Sequence, residues 1–368
     1  MIAHRIPYYA AELKAALPPR VFAPSRSRLI WLPVHLTVIA LSAILISQNA
    51  VSWVVASLLS LVIGASFAGL TFLAHETLHG AIVRSSRLRY ALGMLLLLPF
   101  VLSPRLWIAW HNRVHHGNAN RPGVDPDANP TLAEYRASRR IRLITDHFAL
   151  GRRSWTGIFG LFLGFSVQSA HMLYCAHRRG ILSARARRMA MAETAAGIAL
   201  WTALAIAVGF PAFVFVFVVP LIVANTIVMA FIMTNHSLSP LTDVNDPLLN
   251  SLSVTAPRWV EWLTLHFGYH VEHHLLPSVS SRHGRRVREV LRRRWPERYQ
   301  SMSLLHALRS LHCTARVYEE PATLLDPRTG HRYAALLPLQ AVTPTPPRTI
   351  SASHRAGACP RFNTTVSG

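Results

Sequence analysis

Residues 29–79 read LIWLPVHLTVIALSAILISQNAVSWVVASLLSLVIGASFAGLTFLAHETLH. From Leu29 to Ala74 there is no Asp, Glu, Lys or Arg. That length accommodates two membrane crossings of about 20 residues each, with Ser47-Gln48-Asn49 as the polar turn between them. The stretch therefore reads as a helical hairpin that ends on a histidine-containing segment.

A second hairpin follows from Met189 to Asn235. Only Glu193 and the Gly209-Phe210-Pro211 break interrupt it, and the break supplies the short turn. Two further apolar stretches do not add crossings. Ala91–Ser103 is below crossing length and contains Pro99, so a shallow or re-entrant segment is expected. Ser154–His177 is long enough, but a single crossing there would put Arg178, Arg179, Arg185, Arg187 and Arg188 outside, against the positive-inside bias. It is expected to lie in the interface or to pack without crossing. Four spans leave both termini, the 84–153 region and everything after Asn235 in the cytosol, where the arginines cluster.

Composition agrees. The 368 residues are 51% hydrophobic and only 15% charged, below the roughly 25% of a soluble domain. The formal charge of +22 comes from 38 Lys+Arg against 16 Asp+Glu. With such long uncharged runs it reads as membrane topology rather than nucleic-acid binding. Cys175, Cys313 and Cys359 are too few and too scattered for a disulfide framework or a thiolate metal site. Residues 1–28 carry arginines and prolines with no short apolar core, so no cleaved signal peptide is expected. The expected organisation is a cytosolic N-terminal segment (1–28), a membrane domain with cytosolic histidine clusters (29–298), a cytosolic extension (299–340) and a disordered tail (341–368). Within it, Arg282–Arg298 is expected as a basic helix. The fold class is an all-α integral membrane protein, four transmembrane helices in two hairpins under a cytosolic helical cap.

Of 20 histidines, eight fall in three groups: His75 and His79; His111, His115 and His116; His270, His273 and His274. Helical i,i+4 and i,i+3 spacing puts the rings of each group on one face. Imidazole suits iron, zinc, copper or nickel and not the oxygen-seeking alkaline earths. A tetrahedral zinc uses at most four ligands, so eight rings argue for two metal ions. With four spans all three groups reach the same side of the membrane; an odd number would separate the last from the first. Glu76, Asp125, Asp127 and Glu272 are either acceptors that fix histidine tautomers or local caps and arginine partners. Two other classes compete. His75-Glu76-Thr77-Leu78-His79 also matches the H-E-x-x-H of zinc proteases, with Glu76 as base. A metal transporter would place its ligands near the bilayer midplane, whereas these lie beyond the span ends.

The spacings His75-x3-His79, His111-x3-His115-His116 and His270-x2-His273-His274 resemble the three histidine boxes of the membrane fatty acid desaturase superfamily. So do the flanks Gly123-Val124-Asp125-Pro126-Asp127 and Leu275-Leu276-Pro277, and the resemblance extends over about Pro18–Arg298. It implies a non-haem di-iron centre, with the eight box histidines as ligands, that uses O2 to remove hydrogen from an unactivated acyl chain. It also implies a ninth ligand at His236, beside Asn235 at the end of the fourth span; Asn235 joins Glu76, Asp125 and Glu272 as a candidate for the surrounding shell. A role for His266 is at most indirect. Iron fits because zinc has no redox chemistry. Nothing in the chain supplies the two electrons of each turnover, so a separate donor is expected. Arg282, Arg285, Arg286, Arg288, Arg292, Arg293 and Arg294 either dock an acidic ferredoxin-like protein or adhere to anionic lipid. The expected partners are a lipid acyl chain, the membrane and that donor, and no nucleic acid; the expected location is a bacterial inner membrane. A lipid hydroxylase of sphingolipid or carotenoid type is the alternative within the superfamily.

Overall fold

The first uncharged stretch folds into two helices that pack on each other. In the computed structural model, which describes residues 3–152 and 154–337, α1 (Trp31–Ser47) and α2 (Trp53–Leu78) flank a turn in which Asn49 takes φ 52°. Asn tolerates this left-handed conformation better than most side chains. The Ser52 hydroxyl caps α2 by accepting from the Val55 amide. At 26 residues α2 is about 39 Å long, more than the roughly 30 Å of a hydrocarbon core. His75 was expected just past the second span; instead it stands in the last turns of α2 itself. The helix continues through His75-Glu76-Thr77 because all three are buried against the cap and need no water.

The short apolar stretch becomes α3 (Ser86–Leu96), which at about 16 Å cannot cross, followed by a turn at Pro99 and Val101 (φ 53°). A polar helix, α4 (Arg139–His147), precedes α5 (Ile158–Cys175). The second apolar stretch gives α6 (Ala184–Val208) and, after Gly209, whose φ of 80° suits glycine, a helical run that starts at Phe210–Phe213, passes through the π-helical Val214–Val218 and continues as α7 (Val219–His236). The expected break is thus where the sequence put it. Five helical segments are long and apolar enough to cross a membrane: 26–47, 53–78, 158–175, 184–208 and 210–236. The chain is an integral membrane protein. The fifth candidate is α5. It packs antiparallel to α7: Asn225 accepts from the Ser166 amide at 3.0 Å and donates to the Ser166 hydroxyl at 3.0 Å, and Gly164 abuts Met229, while His171 Nδ1 lies 3.1 Å from Arg140.

Helices α2 and α7 run side by side in one direction. The Ser60 hydroxyl donates to the Phe215 carbonyl, Gly64 abuts Val223, and Phe72 meets Phe231 edge-on at 5.7 Å. A Cβ on Gly64 would stand 2.5 Å from that of Val223, so glycine sets the approach. The parallel course delivers His75, His79 and His236 to the same end.

The cap over that end contains α8 (His270–Leu275) and α9 (Gly284–Arg294), the latter realising the expected basic helix behind a short turn at Ser281–His283. Tyr9 and Leu13 of an N-terminal helix (Ile6–Ala16) pack under both. The cap departs from the all-α expectation. Strands β1 (Ser253–Thr255) and β2 (Ser301–Ser303) pair in parallel, and β3 (Val317–Glu320), β4 (Thr323–Leu325) and β5 (Arg332–Ala334) form an antiparallel sheet. The expected tail at 341–368 lies outside the described residues.

Candidate metal centre

Each histidine box rides on an element that ends at the same place. His75 and His79 close α2; His111 and His115 lie on a π-helical segment, Ile108–His115; His236 closes α7; His270, His273 and His274 share the two turns of α8. The wider π turn turns His111 toward His75 (Nε2–Nε2 3.1 Å) and His116 (3.2 Å).

The nine rings sort into two groups. His75, His79, His111, His116 and His273 have ligand atoms within 4.8 Å of one another, and so do His115, His236, His270 and His274. His273 Nε2 lies 3.1 Å from His116 Nε2, and His270 Nε2 lies 2.7 Å from His236 Nε2. The groups touch where His116 and His274 stack at 4.3 Å.

These contacts fit metal better than they fit one another. A neutral imidazole has a single N–H, yet His111 Nε2 faces two other Nε2 atoms at hydrogen-bond distance. Among the described residues, buried His79 Nε2 and both nitrogens of His274 have no hydrogen-bond partner. Burial first, then neighbouring imidazoles, holds His111, His116, His273 and His274 well below the ordinary 6.5, in the neutral form that metals require. His115 is the exception. Burial alone would lower it, but the Asp125 and Asp127 carboxylates outweigh that and push it up to about 9.

The surrounding polar groups divide. Asp125 takes the role of histidine acceptor, receiving His115 Nδ1 at 3.0 Å. Asp127 lies 3.4 Å from the same nitrogen and accepts from Trp110 and Gln168; burial and Asp125 raise it to about 6. Glu76 and Glu272 instead take the arginine role. Glu76 pairs with Arg28 at 2.6 Å and accepts from Ser280, and Glu272 pairs with Arg288 and accepts from Ser253 and Tyr299. On a helix the residue next to a histidine points about 100° away from it, so both carboxylates leave the ring cluster and face the cap. Asn235 is buried with neither side-chain polar atom partnered. His266 lies apart, beside Arg28 and Trp31. Arg288, expected among surface cations, is buried.

Sequence reasoning missed Arg28, Asn120 and Asn250. The Asn120 amide nitrogen lies 3.1 Å from the His236 carbonyl and 3.3 Å from that of Asn250, and the Asn250 carbonyl lies 3.1 Å from His236 Nδ1. No spacing links these asparagines, so only the folded chain reveals them.

A narrow cavity adjoins the centre, lined by Phe72, Trp107, Trp110, Phe165, Val228, Ile232 and Phe267. His75 and His111 of one group and His115, His236 and His270 of the other also border it. The arrangement offers a largely apolar slot, with Thr71, Asp127 and Gln168 also in its lining, against two clusters of metal-ligand atoms. No curated protein matches the chain. A family model described as fatty acid desaturase matches residues 51–306, more than half of the chain and all three histidine boxes. With that match added to the converging boxes, the chain belongs to the fatty acid desaturase family.

Proposed function

We propose that the chain is an O2-dependent desaturase that introduces a double bond into a lipid acyl chain, holding one iron ion in each histidine group. The observation that carries this reading is the single apolar slot bordered by histidines of both groups. Iron bound there supplies, with O2, the redox chemistry needed to remove hydrogen from an unactivated C–H bond, which acid–base side chains lack. Phe72, Phe165, Val228 and Ile232 form the dry wall along which a methylene chain lies. Trp107 stacks on His111 at 4.5 Å and fixes that ring between slot and centre. Asp125 holds the His115 proton on Nδ1, so this ring gives up its Nε2 proton when it binds a metal.

The zinc-protease reading needs Glu76 as a base beside the metal, but its carboxylate is committed to Arg28 and Ser280. The histidine end faces the cytosol of a bacterial inner membrane with both termini, in line with the arginines gathered there. Helix α5 packs against α7 without crossing, since a single crossing there would put Arg178, Arg179, Arg185, Arg187 and Arg188 outside. Electrons come from a separate ferredoxin-like donor, and the exposed Arg285 and Arg293 belong to its docking face.

Lipid profiling of a host expressing the chain, against a His273→Ala control, tests the activity. A product lighter by two hydrogens supports desaturation. A product that gains oxygen assigns the chain to lipid hydroxylation, and identical profiles overturn both.

A further inference from the structure

The two histidine groups are built to different standards. In the four-histidine group, two rings are held from behind: His115 by Asp125, and His236 by the Asn250 carbonyl. Among the described residues, His270 Nδ1 and His274 Nδ1 of that group are buried without partners, as are His75 Nδ1 and His116 Nδ1 of the other, but none of the five rings of the other group donates to a carboxylate or carbonyl.

Both supports meet at Asn120. Its backbone N–H donates to Asp125 Oδ2 at 2.8 Å, and its carbonyl accepts from the Thr242 amide at 3.0 Å. Its side-chain nitrogen sits among the carbonyls of His236 (3.1 Å), Pro240 (3.2 Å), Asn250 (3.3 Å) and Ser239 (3.5 Å). Only an N–H donor suits that cage, so the amide orientation is fixed by its surroundings. Asn250 returns the link by donating to the Ala119 carbonyl at 2.9 Å. Asn120 is buried and holds φ 54°, a conformation Asn tolerates and most side chains resist. It ties Asp125, the acceptor of the His115 ring, to Asn250, the acceptor of the His236 ring.

We infer that Asn120 is a positioning residue that pre-sets His115 and His236, so that the four-histidine group takes its metal first and more tightly than the five-histidine group. The inference rests on the proposal that the two groups bind iron. Orienting a ring before binding removes ordering cost from the binding step, and losing such a support typically lowers metal affinity 10–100-fold.

The test is anaerobic titration of the purified full-length apo-protein in detergent with 57Fe(II), followed by Mössbauer spectroscopy and iron analysis. In the wild type, two sites should fill in sequence. Asn120→Asp keeps shape and φ but puts an oxygen into the carbonyl cage; Asn120→Gly keeps φ and the N–H to Asp125 but removes the amide. Both variants should weaken the first-filled site 10–100-fold and leave the other near its wild-type affinity, so that filling becomes simultaneous or reverses. Wild-type titrations in both variants overturn the inference while leaving the di-iron reading intact; a wild type that binds no iron overturns that reading. A positioning role also requires both variants to remain monodisperse with an unchanged helical circular dichroism signal. If both lose the fold, the role is structural and the inference fails.

Discussion

Arg28 and Glu76 lock the entrance of the first span to the exit of the second, with both side chains buried and 2.6 Å apart. Removing one charge from such a pair leaves the other buried and uncompensated, which costs about 3–5 kcal/mol, whereas replacing both by apolar residues costs far less. Glu76→Gln should therefore lower the melting temperature in detergent more than Arg28→Met/Glu76→Met does. Activity per folded molecule should survive in Glu76→Gln; complete loss in a well-folded variant would restore Glu76 as a catalytic base. The histidines give a pH dependence whose sign can be worked out. His111, His116, His273 and His274 titrate below 6.5 when folded, so as pH falls through 6.5 the unfolded chain binds protons that the folded chain refuses. Stability of the metal-free protein is then lost by up to about 1.4 kcal/mol per pH unit per ring. His115, raised to about 9, acts oppositely: its stabilisation is full below 6.5 and lost as pH rises through 9. Four lowered rings outweigh one raised ring, so apo-protein melting temperatures should fall between pH 7 and pH 5.5. A flat or rising profile contradicts the burial described. At this scale the sequence revealed the histidines and offered Asp125 as an acceptor, but not the Asn120 and Asn250 supports. Spacing within a helix identifies which rings share a face, while the partners of Glu76 and His236 lie 48 and 14 residues away and are set by tertiary packing.

Helices bring the rings together through close packing at small residues. Gly64 meets α7, and Gly69 meets the His35 ring of α1, where a Cβ would stand 2.4 Å from His35 Nε2. Overpacking of this kind costs about 1–3 kcal/mol. Gly64→Val should lower the melting temperature and, by pushing α7 from α2, reduce metal retention, because His236 and His75 would no longer close on one slot. Equal iron content in wild type and Gly64→Val would show that the α2–α7 distance does not set the site. The helix breaks were readable because Gly209 and Asn49 sit in uncharged runs where backbone polar groups favour helix. The extension of α2 through His75-Glu76-Thr77 was not, because polar residues ordinarily mark the end of a span. Here they are buried against Arg28, Ser280 and the other boxes. Strands β1–β5 were also missed; each has only three or four residues, too few to show a period.

For the whole molecule, the decisive question is which apolar helices cross. Charge placement argued for four spans, whereas α5 is long and apolar enough to cross and packs along α7 at Ser166–Asn225 and Gly164–Met229. Thr156→Cys and Arg178→Cys, exposed residues flanking α5, should both react with an impermeant maleimide from the same side of sealed vesicles. Labelling from opposite sides would mean that α5 crosses and that Arg178, Arg179, Arg185, Arg187 and Arg188 lie outside. Such parity matters for function because box three follows α7 and box one ends α2. The convergence of the histidines depends on their sharing a side. The most direct test of the di-iron account is metal analysis of the full-length protein purified from iron-replete cells, with Mössbauer spectroscopy of the same sample. Two irons per chain, both lost in the double variant His116→Ala/His274→Ala, is the predicted result; a single zinc per chain and no iron would contradict it.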